Sequence, residues 1–164
     1  MSTATIELKD WLEALTEVIR DYAARSLRFD GKPAASPSPM ANGDGPGDAR
    51  PAAYVAILGE RCSMHLGIAS SMDGCRALVR ALLGMRQRDP ITDSEVVDGM
   101  SEILNIAAGK VKSRMVVRDG SLKLGLPIFV QGQVGLGEST ERLTADVMVG
   151  PVACKLLVYR RSRS

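Results

Sequence analysis

The chain has 164 residues, 45% of them apolar and 24% charged, which suits one globular domain with a core of ordinary size. Lys and Arg number 21 against 19 Asp and Glu, a formal charge of only +2, which argues against a dedicated nucleic-acid or anionic-membrane binder, because those need a concentrated cationic face. The longest apolar run, Ala52 to Leu58, is too short to cross a bilayer, and Glu7, Lys9 and Asp10 stand where a secretory signal would place its apolar segment, so a cytoplasmic location is expected.

Residues 4–24 have a helical period, with Ile6, Leu8, Trp11, Leu12, Leu15, Val18, Ile19 and Tyr22 at three-and-four spacing. A short strand is expected over 26–30. From Gly31 to Pro51 the composition shifts, with five of the eight prolines and four glycines. A stretch so poor in large apolar side chains cannot offset its ordering entropy and reads as a mobile insert. Two strands follow, 53–58 and 62–70, around a turn at Gly59-Glu60. Asp73 offers an N-cap to a short helix over 74–83, which Gly84 stops. A second long helix is expected over 94–115, capped by Thr92 or Asp93. Strands are predicted over 122–130, 141–149 and 152–159, and Arg160 to Ser164 read as a solvated basic tail.

The order helix, strand, two-stranded meander occurs twice, with the short helix between. Leu15-Thr16-Glu17-Val18-Ile19-Arg20 aligns with Met100-Ser101-Glu102-Ile103-Leu104-Asn105. Amphipathic helices also align by chance, so this alone leaves duplication open. The fold class expected is α+β, a single domain over 1–164 with two long helices and a connecting one.

Much familiar chemistry is missing from the chain. His65 is the only histidine, which removes most of the case for a His-based zinc site or a Ser-His-Asp triad, and it sits in an alternating strand pattern. Cys62, Cys75 and Cys154 are widely spaced, odd in number and free of CxxC, so they read as small core hydrophobes in a reducing compartment. No GxxxxGK[ST] is present. Gly132, Gly135 and Gly137 precede a strand pattern, and a turn is the better reading.

The second long helix carries the strongest signal. With Asp98 at zero and 100° per residue, Glu102, Asn105, Gly109 and Lys112 fall in a stripe roughly 80° wide. Val96, Val97, Met100, Ile103, Leu104, Ala107 and Val111 gather opposite. A solvated face usually carries long Glu and Lys side chains paired at i,i+4. Here its centre holds Asn105, a poor helix former, and Gly109, which costs about 1 kcal/mol relative to Ala. Two readings fit: ordinary surface variation, or a face that a partner approaches closely to meet an amide. Glu102 and Asn105, at i and i+3, project side by side as a short clamp. A carboxylate accepts a cation, and a carboxamide both donates to and accepts from one water. Lacking a strong base, such a pair positions a water but does not generate hydroxide. The electrophile must then be reactive already, and an acyl phosphate meets that requirement.

The stretch Asp98-Gly99-Met100-Ser101-Glu102-Ile103-Leu104-Asn105-Ile106-Ala107-Ala108-Gly109-Lys110 resembles the signature helix of the CheX and CheC type chemotaxis phosphatases (the CheC/CheX/FliY family), with its Glu-x-x-Asn pair. Arg76-Ala77-Leu78-Val79-Arg80-Ala81-Leu82-Leu83-Gly84 resembles the preceding helix of that family, and Leu122-Lys123-Leu124-Gly125-Leu126-Pro127 its following strand entry. The similarity covers about residues 52 to 160. Gly99 and Ser101 depart from the Ala and Gly common in that helix.

The resemblance implies hydrolysis of the aspartyl phosphate on a phosphorylated CheY-like response-regulator receiver. In that picture Asn105 orients the attacking water and Glu102 engages the receiver's active-site lysine. Asp98, Gly109 and Lys112 contribute peripheral docking. No cofactor is expected on this chain, and Mg2+ is expected on the receiver. Arg20 stands where the first half would need an asparagine, so one site per chain is expected, in a homodimer paired through its sheets. Two other functions are compatible with the residues: a non-catalytic adaptor that docks a receiver or flagellar-switch protein, and a structural α/β domain.

Overall fold

The computed structural model describes residues 7–34, 38–39, 51–60, 63–132 and 140–161. The described elements run α1 (Leu8–Ser26), β1 (Arg28–Phe29), β2 (Lys32–Pro33), β3 (Ser38–Pro39), β4 (Ala52–Leu58), β5 (Ser63–Ala69), α2 (Met72–Leu83), α3 (Asp93–Met115), β6 (Lys123–Leu124), β7 (Ile128–Val130), β8 (Thr140–Val149) and β9 (Val152–Arg161). The fold is α+β. One antiparallel sheet has the order β3-β8-β9-β5-β4, with β6 and β7 both on the free edge of β4.

The sheet shows how the two halves interlock. β4 pairs with β5, and β8 with β9, as the two meanders. The central seam joins β5 to β9. The opening strands cross over: β3 of the first half pairs with β8 of the second, and β7 of the second with β4 of the first. The long helices cross in the same sense, α1 packing on β8 and β9 and α3 on β4. The repeat seen in the sequence is therefore a structural one.

Period-two alternation puts Ala53, Val55 and Ile57, Met64, Leu66 and Ile68, and Cys154, Leu156 and Val158 under the helices. Trp11, Leu15, Val18, Ile19 and Tyr22 of α1 meet them. Cys75 and Cys154 are buried in this core, and burial pushes their thiols up to about 11 and about 12, so they stay protonated. Cys62 lies outside the described residues.

Local differences from the sequence reading have local causes. Ser71, not Asp73, caps α2, its Oγ accepting from the backbone of Gly74 at 3.0 Å, while Asp73 accepts from Arg76 at 2.8 Å. The strand expected over 26–30 is half of a two-residue hairpin. Asp30 and Gly31, at φ 51° and 80°, turn Phe29 back against Lys32. Of the segment read as a mobile insert, β2 and β3 are paired to neighbouring strands, because short backbone ladders need no apolar side chains; residues 35–37 and 40–50 lie outside the described ones. The strand expected over 122–130 is broken in two. Leu124 faces Ile57 and Ile128 faces Tyr54, so three residues of one strand oppose two of the other, a bulge at Gly125-Leu126-Pro127. Pro127 has no N–H to continue the ladder, and Gly125 donates to the Ala56 carbonyl at 2.7 Å. Arg160 and Arg161 belong to β9 rather than to a tail, Arg160 holding Glu141 of β8 at 2.7 Å; residues 162–164 lie outside the described ones. His65 is the strand residue expected, on β5. No helix among the described residues is long and apolar enough to cross a membrane.

Candidate functional site

The α3 helix is fixed at both ends and along its flanks. Thr92 Oγ1 accepts from the Glu95 backbone at 3.1 Å and the Thr92 backbone donates to Glu95 Oε1 at 3.3 Å, a reciprocal cap. Val96, Met100, Ile103, Leu104, Ala107, Val111 and Met115 are buried. Gly99 is buried too, because α2 crosses there: a Cβ on it would lie 2.4 Å from Val79 Cγ1. This is the physical reason for one of the two departures from the family helix.

The charges of α3 sort by use. Asp93 lies 3.8 Å from Arg76 and Glu95 closes the cap. Arg114 pairs with Glu17 at 2.8 Å, and Lys110 Nζ stands 5.4 Å from the centroid of the Tyr22 ring. The remaining side chains are those of the stripe. Asp98 and Glu102 are exposed, and Asn105, Gly109 and Lys112 are half-buried along one outward line. Among the described residues none of the Asp98, Glu102, Asn105 or Lys112 side chains makes a hydrogen bond or ion pair. A Cβ built on Gly109 would meet nothing within 4 Å, so the space over it is open. The structure thus brings all five residues onto one face, with Glu102 and Asn105 one turn apart.

Chemically the pair offers an acceptor for a cation beside an amide that can hold a water on two hydrogen bonds. Desolvation at the edge of the site falls on a residue that sequence reasoning counted only as core. Tyr22 of α1 has its phenol raised above the ordinary value, first by burial and then by the charge of Glu102. Its place against α3, under Lys110, arises from the antiparallel packing of α1 on that helix, for which the sequence carries no local signal. Among the described residues no group of three or more His, Cys, Asp or Glu is arranged to hold a metal ion.

The family model for the chemotaxis phosphatase CheX matches residues 51–147. The chain belongs to the CheX family. The matched span runs from the residue before β4 into β8 and contains all of α3. No curated protein matches in sequence. Among solved structures, CheX from Vibrio vulnificus is 11% identical, with 95% of this chain and 100% of that one covered and a TM-score of 0.71. The CheX–CheY–BeF3–Mg2+ complex from Borrelia burgdorferi matches at 15% identity, 97% and 100% coverage and a TM-score of 0.67. A CheC-like superfamily protein from Shewanella sp. PV-4 matches at 15% identity, 95% and 99% coverage and 0.64. At these identities the likeness is one of fold, and it extends the CheX architecture through α1, which the family model leaves out.

Proposed function

We propose that this CheX-family chain is a phosphatase for the aspartyl phosphate of a CheY-like receiver. The observation that carries the reading is the clamp: Glu102 and Asn105 stand one turn apart on a buried, capped helix, outward-facing and unpaired. The Asn105 carboxamide holds a water in line with the phosphorus. The water's oxygen bonds to phosphorus as the aspartyl C(O)O–P bond breaks, releasing inorganic phosphate and leaving the carboxylate. Glu102 accepts the receiver's lysine and sets the docking angle. A magnesium ion on the receiver supplies charge stabilisation to the phosphoryl oxygens, and nothing on this chain is asked to. Asp98, Gly109 and Lys112 form the rest of the contact: one further acid on the N-terminal side of the clamp, one cation on the other, and a glycine gap between. A relative of the same fold occurs in complex with CheY, which supports the choice of partner.

We infer also that two copies pair through the outward face of the sheet. There His65 stacks on Tyr159 at 4.6 Å and Tyr54 meets the same ring edge-on at 6.0 Å, with no described element over them. Sedimentation should then read twice 17.5 kDa, and Tyr159→Glu should give the monomer.

The deciding experiment mixes the chain with the phosphorylated receivers of its own genome and follows phosphate release. At least one should decay faster, and Asn105→Ala should remove the gain while the fold is kept. Equal decay of every receiver with and without the chain would overturn the reading. Retention of the biological effect by Asn105→Ala, with its loss in Glu102→Lys, would make the chain a docking module instead.

A further inference from the structure

The outward line of α3 does not end at Lys112. The backbone N–H of Val116 donates to the Lys112 carbonyl at 2.8 Å, so the helical path runs on to Val116. Val116 is 18 residues beyond Asp98, about five whole turns, and stands on the same line. It is 39% exposed, and Val117 beside it is 88% exposed. Two apolar β-branched residues gain nothing from facing water, yet the turn that presents them is firmly held. Arg118 and Asp119 both donate from the backbone to the Met115 carbonyl, at 2.9 and 3.2 Å, and the Arg118 side chain meets Asp10 of α1 at 3.2 Å. The buried Asp119 carboxylate accepts from the backbone N–H and the hydroxyl of Ser121, whose Oγ accepts in turn from the Glu60 backbone at 2.9 Å.

We propose that Val116 and Val117 are the apolar end of the docking face, covered by an apolar side chain of the receiver when its phosphoryl group meets Asn105. This rests on the phosphatase reading above. The five residues already assigned to the contact supply charge, an amide and a gap, but no apolar side chain, whereas a specific interface also shuts water out over apolar surface. The other exposed large apolar side chains among the described residues belong to α2 and to the sheet. Size points the same way. An interface of standard size covers about 800 Å2 per partner, a disc of about 16 Å radius. Val116 is 11 residues from Asn105, about 16 Å along the helix axis, so a footprint centred on the clamp reaches it. Because the turn is pinned before any partner arrives, docking carries little ordering cost there.

Val117→Asp replaces the apolar contact by a carboxylate, and at 88% exposure it should leave Tm unchanged. With a receiver that the wild type dephosphorylates, it should raise KM roughly tenfold with kcat retained, because the valines act in binding alone. Val117→Ile should keep the wild-type KM. A second measurement is independent of activity. With p-benzoylphenylalanine in place of Val117, illumination should crosslink the chain to that receiver loaded with beryllium fluoride and Mg2+. An unchanged KM in Val117→Asp, or no crosslink from position 117, overturns the proposal. So does a shift in sedimentation of Val117→Asp alone, which would assign the valines to self-association. If Asn105→Ala loses the rate gain while Val117→Asp keeps the wild-type KM, this inference falls and the phosphatase reading stands. If the wild type speeds the decay of no receiver, the phosphatase reading falls and takes this inference with it.

Discussion

Arg114 Nη1 donates to Glu17 Oε2 at 2.8 Å, tying the two long helices together. Glu17 is the residue of the first half that aligns with Glu102. In one half the acid is a strut between helices, and in the other it faces outward unpaired. Both ends of the strut are about half exposed, at 44% and 53%, so Glu17→Gln should cost under about 1 kcal/mol in a urea melt. Arg20→Asn, which restores the pair in sequence, should leave the phosphatase rate per chain unchanged while Arg114 occupies Glu17. A doubled rate from that single change would show that the strut does not close the first half.

Glu102 and Asn105 should separate in kinetics. Asn105→Ala should lower kcat on the order of a hundredfold with KM little changed, the signature of a group that acts on the water in flight. Glu102→Ala should act chiefly on KM. Equal effects of the two variants on both constants would refute the division of roles.

Two glycines of α3 should respond in opposite directions. At Gly99 a methyl group would sit 2.4 Å from Val79, and Gly99→Ala should destabilise by roughly 1–3 kcal/mol through overpacking. At Gly109 a methyl would meet nothing within 4 Å, and Gly109→Ala should raise stability by about 0.5–1 kcal/mol through helix propensity. The same change narrows the gap in the proposed docking face, so it should weaken receiver binding in calorimetry while raising Tm. An unaltered affinity would remove Gly109 from the contact.

Stability should fall on mild acidification through His65. Burial holds its imidazole below the ordinary 6.5, so the unfolded chain binds a proton that the folded chain refuses. The contribution is present above the unfolded value and is lost as pH falls through the folded one. Urea melts between about pH 8 and pH 5 should show this slope, and His65→Phe, which preserves the stack on Tyr159, should flatten it. Superimposable pH profiles of the two proteins would exclude His65 as the source.

What could be read from the residues was what is local. The α3 stripe is legible because one helix with a 3.6 period fixes which side chains share a face, and the capping box Thr92 to Glu95 marks where that helix starts. The family likewise shows in three motifs that lie close together along the chain. Breaks set by single backbone groups were harder. Pro127 interrupts a run that reads as one strand, and Ser71 outcompetes Asp73 for the end of α2. Least legible was the company of Tyr22, which has the spacing of a core residue and gains its place under Lys110 only from how α1 lies against α3.

The exchanged strands and helices make each half depend on the other. Neither half of this chain can cover its own hairpin, since the helix and the opening strand that do so are lent by the other half. A single half on its own could cover its hairpin only in a reciprocal pair of molecules, and one continuous chain makes that pairing permanent. Cutting the present gene between Gly84 and Asp93 should accordingly yield two fragments that are insoluble alone and reassemble when expressed together.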